Sequence, residues 1–145
     1  MKYQIKKRYT EEIMLEGEAE SFKEFIEKKG DLRGSDLRGS NLRGSNLRGS
    51  DLSDSDLRGI DLSYSDLSYS DLRGSDLSDS DLRGSDLSDS DLRGSDLSDS
   101  DLSGSDLSNS DLSDSNLSGS DLRDSKIKIT QKDEIIKALK IEVIE

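Results

Sequence analysis

The sequence predicts an all-β solenoid, a chain that turns once every five residues and stacks coil on coil. Three observations carry the prediction. Residues 31–125 read Asp-Leu-x-x-Ser, or a close variant, nineteen times without a gap. Leu returns at every fifth position from Leu32 to Leu122, and Ile127 holds the twentieth place. A small residue stands ahead of nearly every Asp, and Ser fills that place eighteen times. On an α-helix, steps of five walk the Leu around the cylinder and leave no apolar stripe. On a strand, an odd step alternates faces. All the Leu point one way only if the chain turns once per repeat. Leu then fills the axis, and coils hydrogen-bond at the strand-pairing distance of about 4.8 Å.

Ahead of the repeat, Tyr3, Ile5, Lys7 and Tyr9 alternate with Gln4, Lys6 and Arg8, and Ile13 and Leu15 follow after Thr10-Glu11-Glu12. This spacing predicts a short hairpin. Ser21 and Glu24 form a capping box, Phe22, Phe25, Ile26 and Lys29 follow helical spacing, and Gly30 suits a left-handed helix terminus. Residues 1–30 are therefore expected to be a hairpin and a helix that cover the first coil, because an open β edge recruits other chains.

Residues 31–128 are the solenoid. Pentads such as Ser35-Asp36-Leu37-Arg38-Gly39 and Ser40-Asn41-Leu42-Arg43-Gly44 set a small residue, Asp or Asn, and Leu ahead of two variable positions. This pattern resembles the pentapeptide-repeat proteins and covers about two thirds of the chain. The resemblance implies a right-handed quadrilateral β-helix with four pentads per coil. Leu and the small residue then point inward and the other three outward. Twenty pentads make about five coils, with small hairpin or helical caps at both ends. The family usually has Ala where this chain has Ser. A buried hydroxyl without a partner costs about 1–3 kcal/mol, so these Ser must bond backbone carbonyls or one another up the stack.

Within the solenoid the last two outward positions covary. Arg precedes Gly eight times, and Ser precedes Asp at Ser53, Ser78, Ser88, Ser98 and Ser113. Gly suits a type II turn and Asp a type I-like one, so the two kinds of corner are expected to differ in backbone geometry. Ile60 is the one large residue in a small inward place and is expected to bulge the wall. Tyr64 and Tyr69, the only aromatics of the repeat, occupy an outward slot on consecutive pentads.

Past Leu122 the composition shifts. Lys126-Ile127-Lys128-Ile129 alternates like a last strand, and Thr130 is placed to cap a helix with Ile135, Ile136 and Leu139 on one face. Ile141, Val143 and Ile144 end an extended tail. Residues 129–145 are thus expected to cap the far end, and Ile141, Val143 and Ile144 are the candidate dimer contact. Both a monomer and a homodimer through this cap fit the sequence.

The formal net charge of −12 is not evenly spread. Residues 31–60 hold five Asp and five Arg, whereas residues 61–125 hold seventeen Asp against Arg73, Arg83, Arg93 and Arg123. Such a field attracts basic surfaces and repels nucleic acid. Sixteen Asp stand next to the central Leu, where a carboxylate accepts backbone N–H groups at the corner. Six more, Asp54, Asp79, Asp89, Asp99, Asp114 and Asp124, are free to serve binding or solubility. The candidate binding surface is Tyr64, Tyr69, Asp79, Asp89, Asp99, Asp114 and Asp124.

The chain has no Cys and no His, which excludes disulfides, thiolate or imidazole metal sites and imidazole acid–base chemistry. A convex rod offers no dry cleft to shift carboxylate pKa values, so no enzyme is expected and no cofactor. An Asp ladder also lacks the wrapping loop of calcium sites. Met1–Lys6 has no apolar signal core and no run approaches a membrane span, which predicts a cytoplasmic protein. The leading expectation is a protein-binding or scaffold module working through its acidic distal coils. The family resemblance adds an alternative, a DNA mimic that occupies the DNA-binding saddle of DNA gyrase or topoisomerase IV. A spacer, designed or phage-borne, is the third.

Overall fold

The computed structural model describes residues 1–10, 12–128 and 131–139. Asp31 bridges Asp51 in parallel, and the same twenty-residue step repeats at every pentad as far as Asp106 and Lys126. Four pentads therefore close one coil. The four faces of the square begin at residues 31, 36, 41 and 46 in the first coil and recur every twenty residues. Each face is a single bridged residue rather than a long strand, because the third and fourth residues of every pentad form a turn.

The backbone bonds can be assigned almost completely. In a pentad with a coil on either side the Leu N–H donates to the Asp carbonyl one coil on (Leu62 to Asp81, 2.8 Å), and the Asp N–H donates back to the small residue's carbonyl one coil before (Asp81 to Ile60, 3.0 Å). The fourth-position N–H reaches the third-position carbonyl of the next coil, and the fifth closes the turn onto its own Leu carbonyl. The third N–H, left over by the ladder, is taken by the Asp or Asn side chain two residues earlier, as in Arg73 to Asp71 at 3.1 Å. Only the fourth-position carbonyl takes no part in the ladder. Buried backbone groups must be paired, and here the Asp of the repeat is part of that pairing.

Leu32 to Leu117 are all at most 2% exposed and stack along the axis. Burying each contributes roughly 1.5–3 kcal/mol. Most of the inward Ser are buried as well, and most of their hydroxyls donate to Leu carbonyls. Some stay within the turn, as Ser90 to Leu87 at 2.6 Å; others reach one coil back, as Ser100 to Leu77 at 2.7 Å. Ser35 and Ser45 donate to the Ser one coil on. Among the described residues only the Ser105 hydroxyl is buried without a partner.

Two sequence expectations for the solenoid fail. All nineteen fourth-position residues have positive φ: Asp54 to Asp124 and Asn109 at 57–62°, Gly at 61–76°. Gly and Asp corners therefore share the left-handed conformation, because the ladder, not the side chain, dictates the turn. The covariation has no basis in turn type. Ile60 does not bulge the wall either. It is 1% exposed, and its N–H bonds Leu57 at 3.1 Å like its neighbours. The axis absorbs the extra carbon atoms.

β1 (Lys2–Lys7) and β2 (Ile13–Glu18) form an antiparallel hairpin with an irregularity between Ile5 and Lys6. α1 (Phe22–Glu27) follows, with the Ser21 hydroxyl accepting the Glu24 N–H at 3.1 Å. The Glu24 carboxylate reaches back over the helix start and accepts the Glu20 N–H at 2.8 Å. β1 pairs antiparallel with β3 (Ser35–Asp36), so the hairpin occupies the rung above the second face of the first coil. Tyr3, Phe22 and Phe25 cluster beneath it, and Phe25 and Ile26 join the Leu core. Gly30 does not close the helix in a left-handed conformation. α1 ends at Glu27, Lys28 is right-handed, and the Gly30 carbonyl accepts the Asp51 N–H as the first inward small residue.

α2 (Lys132–Ala138) lies under the last coil, with Ile135 and Ala138 buried and the Ala138 carbonyl accepting the Leu117 N–H. The apolar face is Ile135, Ala138 and Leu139, with Ile136 half-buried beside it. Ile127, in the twentieth core place, is 43% exposed, because no further coil covers the fourth face. Gln131 has a role with no sequence signal: its buried amide donates to the Leu107 and Ser110 carbonyls and accepts the Asn109 and Lys128 N–H groups. Ile129, Thr130, Ile141, Val143 and Ile144 lie outside the described residues, and with them the expected cap residue and dimer contact.

Candidate partner-binding surface

Three kinds of side chain make the outer surface. The first is the Asp of each pentad, held in place twice over. Besides the third-position N–H, it takes that residue's side chain. Where that is Ser, the hydroxyl donates to the carboxylate, as Ser88 to Asp86 at 2.6 Å. Where it is Arg, the guanidinium forks onto it, as Arg58 onto Asp56 at 2.8 and 2.6 Å. The same Arg leans toward the carboxylate of the next coil, Arg58 reaching Asp76 at 3.6 Å. An Arg thus sits between two stacked carboxylates and offsets their repulsion.

The charges follow this geometry. The Arg hydrogen bonds hold Asp71, Asp81 and Asp91 below the usual carboxylate range. At Asp56 burial pushes the other way, and the Arg58 bonds outweigh it. The Arg123 hydrogen bond lowers Asp121 to about 2. The Ser108 hydroxyl leads the lowering at Asp106, with Lys126 adding to it.

The second kind is the fourth-position residue. Asp79 and Asp99 stand in the turn leaving the second face, Asp89 in that leaving the fourth, Asp114 in that leaving the first and Asp124 in that leaving the third. The candidate carboxylates are therefore spread around the rod and not gathered on one side. Asp114 faces Lys137 of α2 at 3.4 Å. Among the described residues no group of three or more acidic side chains is disposed to hold a metal ion.

The third kind is the tyrosine pair. Tyr64 stands in the turn from the third face to the fourth, and Tyr69 in the turn from the fourth to the first. The two bracket the fourth face of the second coil. Both are exposed, and both hold left-handed φ, 59° and 60°. A bulky residue there is strained at a cost of order 1–3 kcal/mol. Each ring lies against a guanidinium from the coil before, Arg43 at 4.5 Å from the Tyr64 centroid and Arg48 at 4.3 Å from that of Tyr69. Arg43 also donates to Ser63 at 3.1 Å and Arg48 to Ser68 at 2.6 Å.

These two Arg are available because their own pentads carry Asn41 and Asn46 instead of Asp. With no carboxylate beside them, they reach forward one coil. The set Asn41, Arg43, Ser63, Tyr64 recurs as Asn46, Arg48, Ser68, Tyr69 on the adjoining face. Reading the sequence pentad by pentad misses the set. Reading it at the coil length of twenty residues places Arg43 and Arg48 over the tyrosines.

Comparison with known proteins gives the following. The family model described as pentapeptide repeats matches residues 31–63, 60–99 and 90–128. Among solved structures the chain is similar to HetL from the cyanobacterium Nostoc, a pentapeptide repeat protein involved in heterocyst differentiation regulation. The two share 34% identity at a TM-score of 0.59, over 68% of this chain and 44% of HetL. It is also similar to a pentapeptide repeat protein from the Arabidopsis thaliana thylakoid lumen, at 27% identity, a TM-score of 0.52 and 84% of each chain. The chain thus spans less than half the length of HetL. No curated protein matches it. Among the described residues no helix is long and apolar enough to cross a membrane.

Proposed function

The chain belongs to the pentapeptide-repeat family, and from that premise we propose that it is a non-enzymatic protein-binding module whose acidic distal coils receive a partner with a basic surface. The observation that supports this reading is the carboxylate ladder: seventeen Asp against four Arg over residues 61–125, on a backbone that fixes each position. A rigid array loses little entropy on binding and steers a basic partner from a distance. HetL is involved in heterocyst differentiation regulation, a role that suits binding better than spacing.

The test uses a fluorescent arginine-rich peptide and anisotropy at about 25 and about 150 mM salt, on either side of a Debye length of roughly 10 Å. Binding in the micromolar range weakens with salt, and weakens again when Asp79, Asp89, Asp99 and Asp114 become Asn. If those four changes alter only solubility, the rod is a spacer and the reading is wrong. A gyrase supercoiling assay on the same proteins tests the DNA-mimic alternative. Inhibition lost in the four-Asn variant favours mimicry, and no inhibition at tens of micromolar removes it.

A further inference from the structure

We infer that the fourth face, bracketed by Tyr64 and Tyr69, is where the partner seats, and that a basic protein segment lies along it from the second coil toward the fourth. This rests on the protein-binding reading above and names the surface that reading leaves open.

Four observations converge on this face. The first is strain: two bulky residues hold left-handed φ where ten of the other turns use Gly. The fold does not need them there, because Gly occupies the same corners one coil before them, at Gly44 and Gly49. The second is support. Arg43 and Arg48 each cover one side of a ring and bond the Ser beside it. Below Tyr64 the Gly84 position leaves just enough room, for a Cβ there would lie 3.0 Å from the ring. The ring is pinned between guanidinium and backbone while Tyr64 stays 60% and Tyr69 56% exposed. Rigid, half-covered Tyr with Arg behind it is the composition of binding hot spots.

The third observation is charge. Between and below the rings the fourth face carries Asp66, Asp86 and Asp89, and its third-position residues are Ser68, Ser88 and Ser108, not Arg. Among the described residues no Lys or Arg forms an ion pair with Asp66, Asp86 or Asp89. The fourth is continuity: Lys126 pairs with Asp106 at 3.2 Å and closes the acidic strip at its far end. A segment with Arg or Lys side chains fits this strip. Their aliphatic stems cover the ring edges, and their charged heads meet the carboxylates.

The second face supplies the contrast. Asp79 and Asp99 are equally acidic, but no aromatic residue stands beside them. The experiment titrates isotope-labelled full chain with the arginine-rich peptide, follows backbone amide shifts, and measures affinity for two double variants. One is Tyr64→Gly with Tyr69→Gly, which suits the left-handed turn and keeps the fold. The other is Asp79→Asn with Asp99→Asn. Shifts centred on 66–69 and 86–89, with a loss of about tenfold in the Tyr variant and less in the Asn variant, are the expected result. Full affinity in the Tyr variant with loss in the Asn variant overturns the face assignment while leaving the acidic-surface reading standing. No peptide binding by the unaltered chain overturns both.

Discussion

The proximal coils, residues 31–60, and the distal coils, residues 61–125, share one backbone and one Leu core, yet differ almost wholly in what they show to solvent. In the proximal part five Arg offset five Asp, and Arg33, Arg38 and Arg58 each bridge carboxylates on successive coils. In the distal part Ser replaces most of those Arg and keeps the hydrogen bond without the charge. The substitution leaves the ladder intact and releases the field. A pentapeptide wall therefore tunes its surface through the third position while the interior stays constant.

If the interior is truly indifferent to region, Leu52→Ala and Leu97→Ala lose the same stability. Both side chains are at most 1% exposed. Each change leaves a cavity on the axis, and about 3 kcal/mol is expected for both. Urea midpoints check it, and a difference above about 1 kcal/mol breaks the equivalence. The stack need not unfold as one unit, so the midpoints are read by probes at both ends.

Acid sharpens the comparison. Asp36 and Asp56 in the proximal part, and Asp71, Asp81, Asp91 and Asp121 in the distal part, have folded pKa values below their ordinary ones. A lowered carboxylate contributes stability that is complete above the unfolded value and disappears as pH falls through the folded one. For Asp121 that window runs from the ordinary 3.8 down to about 2. The melting temperature is therefore expected to hold from pH 7 to about 5 and to fall between about 4 and 2. Arg73→Ser removes the fork on Asp71, which lowers the melting temperature at neutral pH and makes the fall between about 4 and 2 shallower. An unchanged acid profile in this variant would count against the fork as its cause.

The tyrosine pair tests the boundary between the regions. Gly in place of Tyr64 or Tyr69 removes roughly 1–3 kcal/mol of backbone strain and gives up about 0.5–1 kcal/mol of guanidinium–ring attraction. A net gain of about 1 kcal/mol per site is expected from thermal melts. A loss of that size would mean the rings serve the fold, and the case for an anchor would go with it.

Much of this was legible in the sequence and some was not, for physical reasons. The period of five announces the solenoid because only a chain turning once per pentad collects every Leu on its axis. The role of the repeat Asp was legible too, since an Asx side chain beside a turn takes the free N–H. The turn geometry was not. Asp54 and Gly74 look like different corner residues, but coil-to-coil bonding forces both to positive φ. Ile60 misled for a similar reason, as axis volume is shared between coils. The link from Arg43 to Tyr64 needed the twenty-residue repeat, which the pentad pattern alone does not contain. Gln131 carried no signal, because a polar residue between two expected elements gives no hint of burial.

The smallest expected effect concerns the Ser columns, which run through both regions. Ser85 donates to Leu82 at 2.7 Å, while the Ser105 hydroxyl, one coil further along the same column, is buried with no partner. Replacing Ser85 by Ala removes a hydrogen bond but leaves the Leu82 carbonyl its own turn N–H, from Ser85 at 3.1 Å. The loss should be no more than about 1 kcal/mol. Ser105→Ala removes only an unpaired buried hydroxyl and should raise stability by up to about 1 kcal/mol. Paired denaturation curves decide it. If both variants lose stability equally, Ser105 rotates to the Leu102 carbonyl in solution, and the column is uniform along the whole rod.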